Sequence, residues 1–207
     1  MILGKTLNNK EYLIQILLKL RSVGIKNEKI LQAIEKMPPH YYYSMSNFGE
    51  ELKKINICEV LEIAKLLQSS LNINYKYDNI FVYGFKYGWL LVLLTNFCKR
   101  VYGICDSAYN KNKVEFFFLK NDYKNIYLNS GEDLLSWSKV APFDLIYIFN
   151  LNKFSNNDIT KQLSSKGQAF IPCKEKSYNI NMMSIDKENF ILKQTCDYSL
   201  LNSSDLI

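Results

Sequence analysis

Apolar positions in the first third of the chain recur at helical spacing. Between Glu11 and Val23 they fall at Leu13, Ile16, Leu17 and Leu20. That spacing predicts an amphipathic helix. Gly24 follows it in the position where glycine ends helices. A second short helix is predicted over Glu28–Lys36, with Ile30, Leu31 and Ile34 on one face, and Pro38-Pro39 stops it. The stretch "HYYYSMSNFGEELKKINI" has no helical period and predicts an irregular connection. Helical spacing resumes over Glu59–Ser70 through Val60, Ile63, Ala64 and Leu67.

From Asn79 onward the pattern changes. Short β-rich runs at Ile80–Tyr83, Arg100–Cys105, Asn125–Leu128, Phe143–Phe149, Gln168–Pro172 and Phe190–Tyr198 alternate with helical stretches at Gly88–Phe97, Ala108–Lys120 and Asn156–Ser164. This alternation predicts an α/β fold, a mainly parallel sheet with helices on both faces. "FDLIYIF" is nearly continuous in apolar character, as a central strand covered on both sides requires. No internal repeat or low-complexity tract interrupts the pattern. The reading is one domain, residues 1–77 forming an N-terminal helical cap and linker and residues 78–207 the α/β core.

Composition narrows the function classes. The 207 residues are 48% apolar and 14% aromatic, enough to bury a core. The longest apolar run, Trp89–Leu94, is far too short to span a membrane. Met1 to Lys5 lacks the layout of a secretory signal, so a soluble cytoplasmic protein is the expectation. Cys58, Cys98, Cys105, Cys173 and Cys196 form no C-x-x-C pair and read as reduced thiols, mostly buried. With His40 the only histidine, a His-rich metal site is excluded. The net charge of +6 is spread along the chain rather than blocked, as on a solvated mixed surface, so nucleic acid is not the expected partner. Oligomeric state is not legible.

Candidate chemistry begins where the first core strand ends. Gly84-Phe85-Lys86-Tyr87-Gly88 leads from strand to helix. In an open α/β sheet ligands bind beyond the carboxyl ends of the strands, and such a turn offers free backbone N–H groups. Asp106 stands at the end of the second strand, roughly 20 positions on, where an acid commonly accepts from ribose hydroxyls. It would equally suit a helix N-cap. After the third strand, Glu132 and Asp133 either contact an adenine amino group or form a solvated turn. Cys58 reads as an inert, partly buried thiol in preference to a reactive one, since no histidine is near in sequence. His40 follows Pro-Pro and reads as a turn or surface residue in preference to a general base. The run Tyr41-Tyr42-Tyr43 either lines a cleft or packs the cap onto the sheet.

Several segments, in order, resemble the protein-L-isoaspartate O-methyltransferase family, which uses S-adenosylmethionine. "LRSVGIKNEKILQAIEKMPPHYYY" is similar to its N-terminal helix, Gly-Ile turn and second helix. "IFVYGFKYGW" takes the place of its Val-Leu-Glu-Ile-Gly-Thr-Gly-Ser-Gly-Tyr loop, "RVYGICD" its strand ending in the ribose-binding acid, and "NSGEDLL" its Gly-Asp-Gly turn. "APFDLIYIF" and "QLSSKGQAFIPC" match two late strands. The resemblance covers roughly Glu11 to Leu200. It implies a Rossmann-like S-adenosylmethionine-dependent methyltransferase fold with an N-terminal helical cap. The cofactor would lie over Tyr83, Gly84, Phe85, Lys86, Gly88, Cys105, Asp106, Glu132 and Asp133. The partner would be a damaged protein or peptide whose carboxylate is methylated.

The chain departs from the family pattern at defined points. The Glu-x-Gly-x-Gly-x-Gly positions are Val82, Gly84, Lys86 and Gly88. The ribose acid aligns with Cys105, leaving Asp106 to serve from one position along. The family's Thr-Ile-Ser-Gln-Pro segment, whose Ser handles the substrate carboxylate, is Asn56, Ile57, Cys58, Glu59 and Val60. Asn56, Cys58 and Glu59 are thus the catalytic candidates. Cys58 keeps the size of Ser but is a weaker hydrogen-bond partner. Glu59 brings negative charge to where an anionic substrate should dock. Three readings follow: an isoaspartyl-type carboxyl methyltransferase, a methyltransferase-fold binding or assembly module without turnover, and a methyltransferase for another substrate such as RNA.

Overall fold

The computed structural model describes residues 9–45, 57–85, 88–105, 107–131, 133–149, 156–174, 180–186 and 193–198. Helix α1 (Asn9–Ser22) ends at Gly24, whose φ of +93° suits glycine. The Ile25 N–H then bonds back to the Leu20 carbonyl at 3.0 Å, and Ile25 turns into the core. Helix α2 (Glu28–Lys36) starts on Asn27, whose side chain accepts from the N–H groups of Lys29 and Ile30. From helix α4 (Ile57–Ser70), Gln68 clips this turn. It accepts from the Lys26 and Asn27 N–H groups at 2.8 and 3.2 Å and donates to the Gly24 carbonyl at 3.0 Å.

Pro38-Pro39 stops α2 as expected, but it also starts a helix. Residues Pro39–Met45 form α3 where the apolar period predicted an irregular connection. Pro39 stands in the first turn, where its missing N–H is no loss and its fixed φ is helical. The inward face of α3 is made by Tyr42 and Tyr43, rings rather than aliphatics, so the usual apolar signature is weak. Residues 46–56 of that stretch lie outside the described residues. His40, expected in a turn or on the surface, is a half-buried residue of α3 with its ring edge-on to Tyr12, centroids 5.3 Å apart. Burial lowers its pKa and favours the neutral imidazole.

Among the described residues seven strands form one sheet in the order β3-β2-β1-β4-β5-β6-β7. They are β1 (Tyr77–Phe85), β2 (Cys98–Cys105), β3 (Ile126–Ser130), β4 (Phe143–Ile148), β5 (Leu163–Lys174), β6 (Ile180–Asp186) and β7 (Lys193–Tyr198). The pairings among β1 to β5 are parallel, and β6 and β7 are antiparallel additions at one edge. The mainly parallel sheet is therefore as expected. The strand expected at Phe190–Tyr198 is β7, over Lys193–Tyr198, and β6 at Ile180–Asp186 is a strand that the apolar pattern did not predict. The mixed sequence of β6, "INMMSID", becomes a strand because β5 offers it a partner from Gln168 to Lys174. Between the strands run α5 (Trp89–Leu94), α6 (Ala108–Lys120), a 3-10 helix (Leu134–Val140) and α7 (Asn156–Thr160). Both α5 and α7 are shorter than their apolar patterns. Residue Leu163 already pairs with Phe143, so α7 has no room to continue to Ser164.

Alternation along the strands builds two buried layers. Ile80 and Val82 of β1, with Leu145 and Tyr147 of β4, join α5, α6 and the N-terminal helices in one contiguous cluster. Phe81, Tyr83, Ile146 and Ile148 face the other way, toward Leu134 of the 3-10 helix and Ile159 of α7. Both faces of β4 are thus buried, which accounts for its continuous apolar run. One polar contact sits inside the first layer. The Tyr147 hydroxyl meets Ser70 Oγ at 2.7 Å, and that Oγ is 2.6 Å from the Leu66 carbonyl. With Ser70 donating to Leu66, the Tyr147 hydroxyl must donate to Ser70. Burial raises the Tyr147 pKa, so it keeps its proton.

This asymmetry is testable by urea unfolding. Ser70→Ala strands a buried hydroxyl and should cost about 1–3 kcal/mol, whereas Tyr147→Phe leaves Ser70 bonded to Leu66 and should cost about 1 kcal/mol or less. Equal losses would refute the assigned direction of the bond.

Candidate functional site

The carboxyl ends of β1, β2 and β3 converge on one edge of the sheet. Tyr83 pairs with Ile104 and Phe85 with Cys105, so Gly84 is an extra residue between two paired ones. It takes a φ of +75°, open to glycine without strain. Gly88 closes the loop at a φ of +78° and caps α5. A Cβ on Gly88 would stand 2.6 Å from Val114 Cγ1 and 2.9 Å from the Tyr42 hydroxyl. Only a residue without a side chain fits both the backbone and the space. Lys86 and Tyr87, between these glycines, lie outside the described residues.

Phe85 anchors the loop. Its buried ring lies so close to Gly103 of β2 that a Cβ there would stand 2.6 Å from Phe85 Cε1, with Leu128 and Leu91 at 3.1 and 3.2 Å. The Gly103 carbonyl also accepts from the Trp137 indole N–H at 3.3 Å. The side chain of Phe85 therefore belongs to the core, and its backbone is what the edge presents. Tyr83 is also core-facing, and its carbonyl accepts from the Phe149 N–H at 2.9 Å.

Cys105 links the three turns. It is fully buried, and its thiol donates to the Phe85 carbonyl at 3.4 Å. Its own carbonyl accepts from the Gly131 N–H at 3.3 Å. The loop after β1, the end of β2 and the turn after β3 are thus tied through one residue. Beyond it, Ser107 rather than Asp106 caps α6, accepting from the Asn110 N–H at 3.2 Å. The capping alternative for Asp106 is thereby corrected: a serine one position later, already in extended backbone, does that work. Asp133 is exposed and caps the 3-10 helix, accepting from the Leu135 N–H at 2.8 Å.

The N-terminal helices close onto the same edge. The Trp89 indole N–H donates to the Met37 carbonyl at 3.0 Å. Tyr42 is fully buried against Phe117, ring centroids 4.6 Å apart. The Tyr43 hydroxyl donates to Glu59 Oε1 at 3.2 Å in the first turn of α4. Asn56, Asp106 and Glu132 lie outside the described residues, as does the side chain of Cys58. Among the described residues no cluster of His, Cys, Asp and Glu is placed to hold a metal ion, and no helix is long and apolar enough to cross a membrane.

A family model described as protein-L-isoaspartate(D-aspartate) O-methyltransferase (PCMT) matches residues 97–200, just over half of the chain. The chain belongs to this family. Among curated relatives, the protein-L-isoaspartate O-methyltransferase of Dictyoglomus turgidum is 24% identical over 177 residues, covering 82% of this chain and 80% of the relative. That of Maricaulis maris is 22% identical over 167 residues, covering 77% and 78%. The fold is shared with a Plasmodium falciparum protein-L-isoaspartate O-methyltransferase solved in complex with S-adenosyl-L-homocysteine, at TM-score 0.64 and 15% identity over 90% of this chain and 96% of that one. A second protein-L-isoaspartate O-methyltransferase structure superposes at TM-score 0.68 and 12% identity, over 89% of this chain and 63% of that one.

Within this PCMT-family chain, the structure brings together Gly84, Phe85, Gly88, Cys105 and the Gly131 turn. Sequence reasoning passed over Gly103 and Trp89 as contributors to that edge, while Tyr42, left open between lining a cleft and packing the cap onto the sheet, is buried against Phe117. Gly103 carried a usable signal, since glycine inside a strand marks close approach of another group. Gly88→Ala should destabilise the fold by about 1–3 kcal/mol, because it adds both a positive-φ strain and a Cβ against Val114 and Tyr42. Chemical denaturation checks this, and an unchanged midpoint would mean that the loop is not seated as described.

Proposed function

We propose that this protein transfers a methyl group from S-adenosylmethionine to the carboxylate of damaged Asp and Asn sites in proteins, the activity named for its family. One observation carries the reading. The glycine loop after β1 is tied through Cys105 to the ends of β2 and β3, so that the three turns a nucleoside cofactor spans are held as one unit. Gly84, with positive φ and no Cβ, leaves the backbone open to close approach there. This arrangement fits the adenosyl group. The backbone of Gly84, Phe85 and Gly88 would hold it, with Lys86, Asp106, Glu132 and Asp133 contributing side chains. When bound, the cofactor supplies an electrophilic methyl.

The protein's own task is to seat and align a carboxylate. A carboxyl group is ionised at neutral pH and needs no general base, which agrees with His40 standing on α3 against Tyr12. Alignment in line with the methyl group is the main requirement. Asn56 and Cys58 would meet the substrate carboxylate. Glu59 already accepts from Tyr43, which gives its charge a partner on α3. Buried free thiols at Cys98 and Cys105 suit a reducing compartment such as the cytoplasm, where the damaged protein or peptide is met.

Calorimetric titration with S-adenosylhomocysteine, followed by methyl transfer to an isoaspartyl peptide and to its normal aspartyl counterpart, tests the proposal. Saturable binding with methylation of the isoaspartyl peptide alone is expected. Absence of binding overturns the cofactor assignment. Binding without transfer overturns the enzyme and leaves a binding module.

A further inference from the structure

Tyr42 and Tyr43 are neighbours on α3, and successive helical residues diverge by about 100°. Their phenols therefore reach different elements. Tyr42 is fully buried, with its ring against Phe117. Its hydroxyl reaches Gly88, where it stands 2.9 Å from the place a Cβ would take. The Tyr43 ring meets that of Tyr42 edge-on, centroids 5.2 Å apart, and its hydroxyl donates to Glu59 Oε1 in the first turn of α4. A third contact holds the turn that leads into this helix. The Met37 carbonyl accepts from the indole of Trp89, the residue after Gly88, at 3.0 Å. Pro38 and Pro39, each with φ fixed by its ring, join Met37 to α3. Thus α3 meets the exit of the glycine loop through Tyr42, the turn before it does so through Met37, and Tyr43 joins α3 to the first turn of α4.

We propose that Tyr42 and Tyr43 are positioning residues that couple the cofactor seat at Gly84–Gly88 to the substrate segment ending at Glu59, so that occupation of either site tightens the other. This rests on the function proposed above. Neither residue need touch a ligand. Tyr42 sits in close-packed surroundings, where a shift of the loop at Gly88 cannot be absorbed locally and must move the ring. The same short helix then carries that shift to Tyr43 and Glu59. Any such coupling is reciprocal, since it is a free energy shared by two binding events.

The test measures the Kd of S-adenosylhomocysteine by calorimetry, alone and with saturating isoaspartyl peptide. It is run on the wild-type protein, Tyr42→Phe and Tyr43→Phe. In the wild type, peptide should tighten S-adenosylhomocysteine about fivefold or more, within the usual range for coupled sites. Tyr43→Phe should bind S-adenosylhomocysteine alone within about twofold of wild type yet lose the enhancement, an outcome that simple loss of stability would not produce. Tyr42→Phe should lose the enhancement and also weaken binding of S-adenosylhomocysteine alone. If Tyr43→Phe does not fold, Glu59→Ala removes the same contact from the other side and must lose the enhancement too. Full enhancement in a folded Tyr43→Phe or Glu59→Ala variant overturns the proposal. So does a wild type that binds cofactor product and methylates peptide with no enhancement, which leaves the proposed function standing. A wild type that does not bind S-adenosylhomocysteine overturns both.

Discussion

The ring of Phe85 against the bare backbone of Gly103 is the contact on which the carboxyl edge of the sheet depends. A side chain on β2 at that point would push the end of β1 away. Because it is absent, β1 continues through Gly84 as a bulge, Phe85 drops into the core, and its carbonyl meets the Cys105 thiol. The chain then leaves for α5 through Gly88, a second left-handed position. Two positive-φ glycines and one close approach thus decide where the loop can lie. Leu91, Leu128 and Trp137 hold the approach from both sides.

Placing Cys105 where the family's ribose acid is expected changes how that edge is held together. A carboxylate at that position would need solvent or a ligand to satisfy it. A thiol is small and tolerates burial, and here it is bonded to the loop it adjoins. Its role in the described structure is to fasten turns to one another. The polar burden of cofactor recognition then falls on the backbone and on neighbours further along the turns.

Much of this was legible in the sequence. The apolar runs of β1, β2 and β4, bounded by glycine, proline and charged residues, carry enough local preference to be read without tertiary knowledge. The strand–glycine–helix passage at Tyr83–Trp89 marks the edge correctly. What could not be read was direction. Nothing local says that Phe85 turns into the core while its carbonyl faces Cys105, since both follow from Gly103 on the neighbouring strand β2, distant in sequence but against the Phe85 ring in the fold. Helix α3 escaped because tyrosines supply its buried face, although Pro39 was a usable start signal. Strand β6 escaped because its pairing partner β5, rather than its composition, makes it a strand.

A crystal structure of the protein with S-adenosylhomocysteine tests the central claim most directly. The account predicts ligand against the Gly84 backbone and the ends of β2 and β3, with the Phe85 ring still seated on Gly103 and both loop glycines at positive φ. Ligand bound at another edge of the sheet, or a Phe85 ring displaced from Gly103 with β1 ending elsewhere, would contradict it.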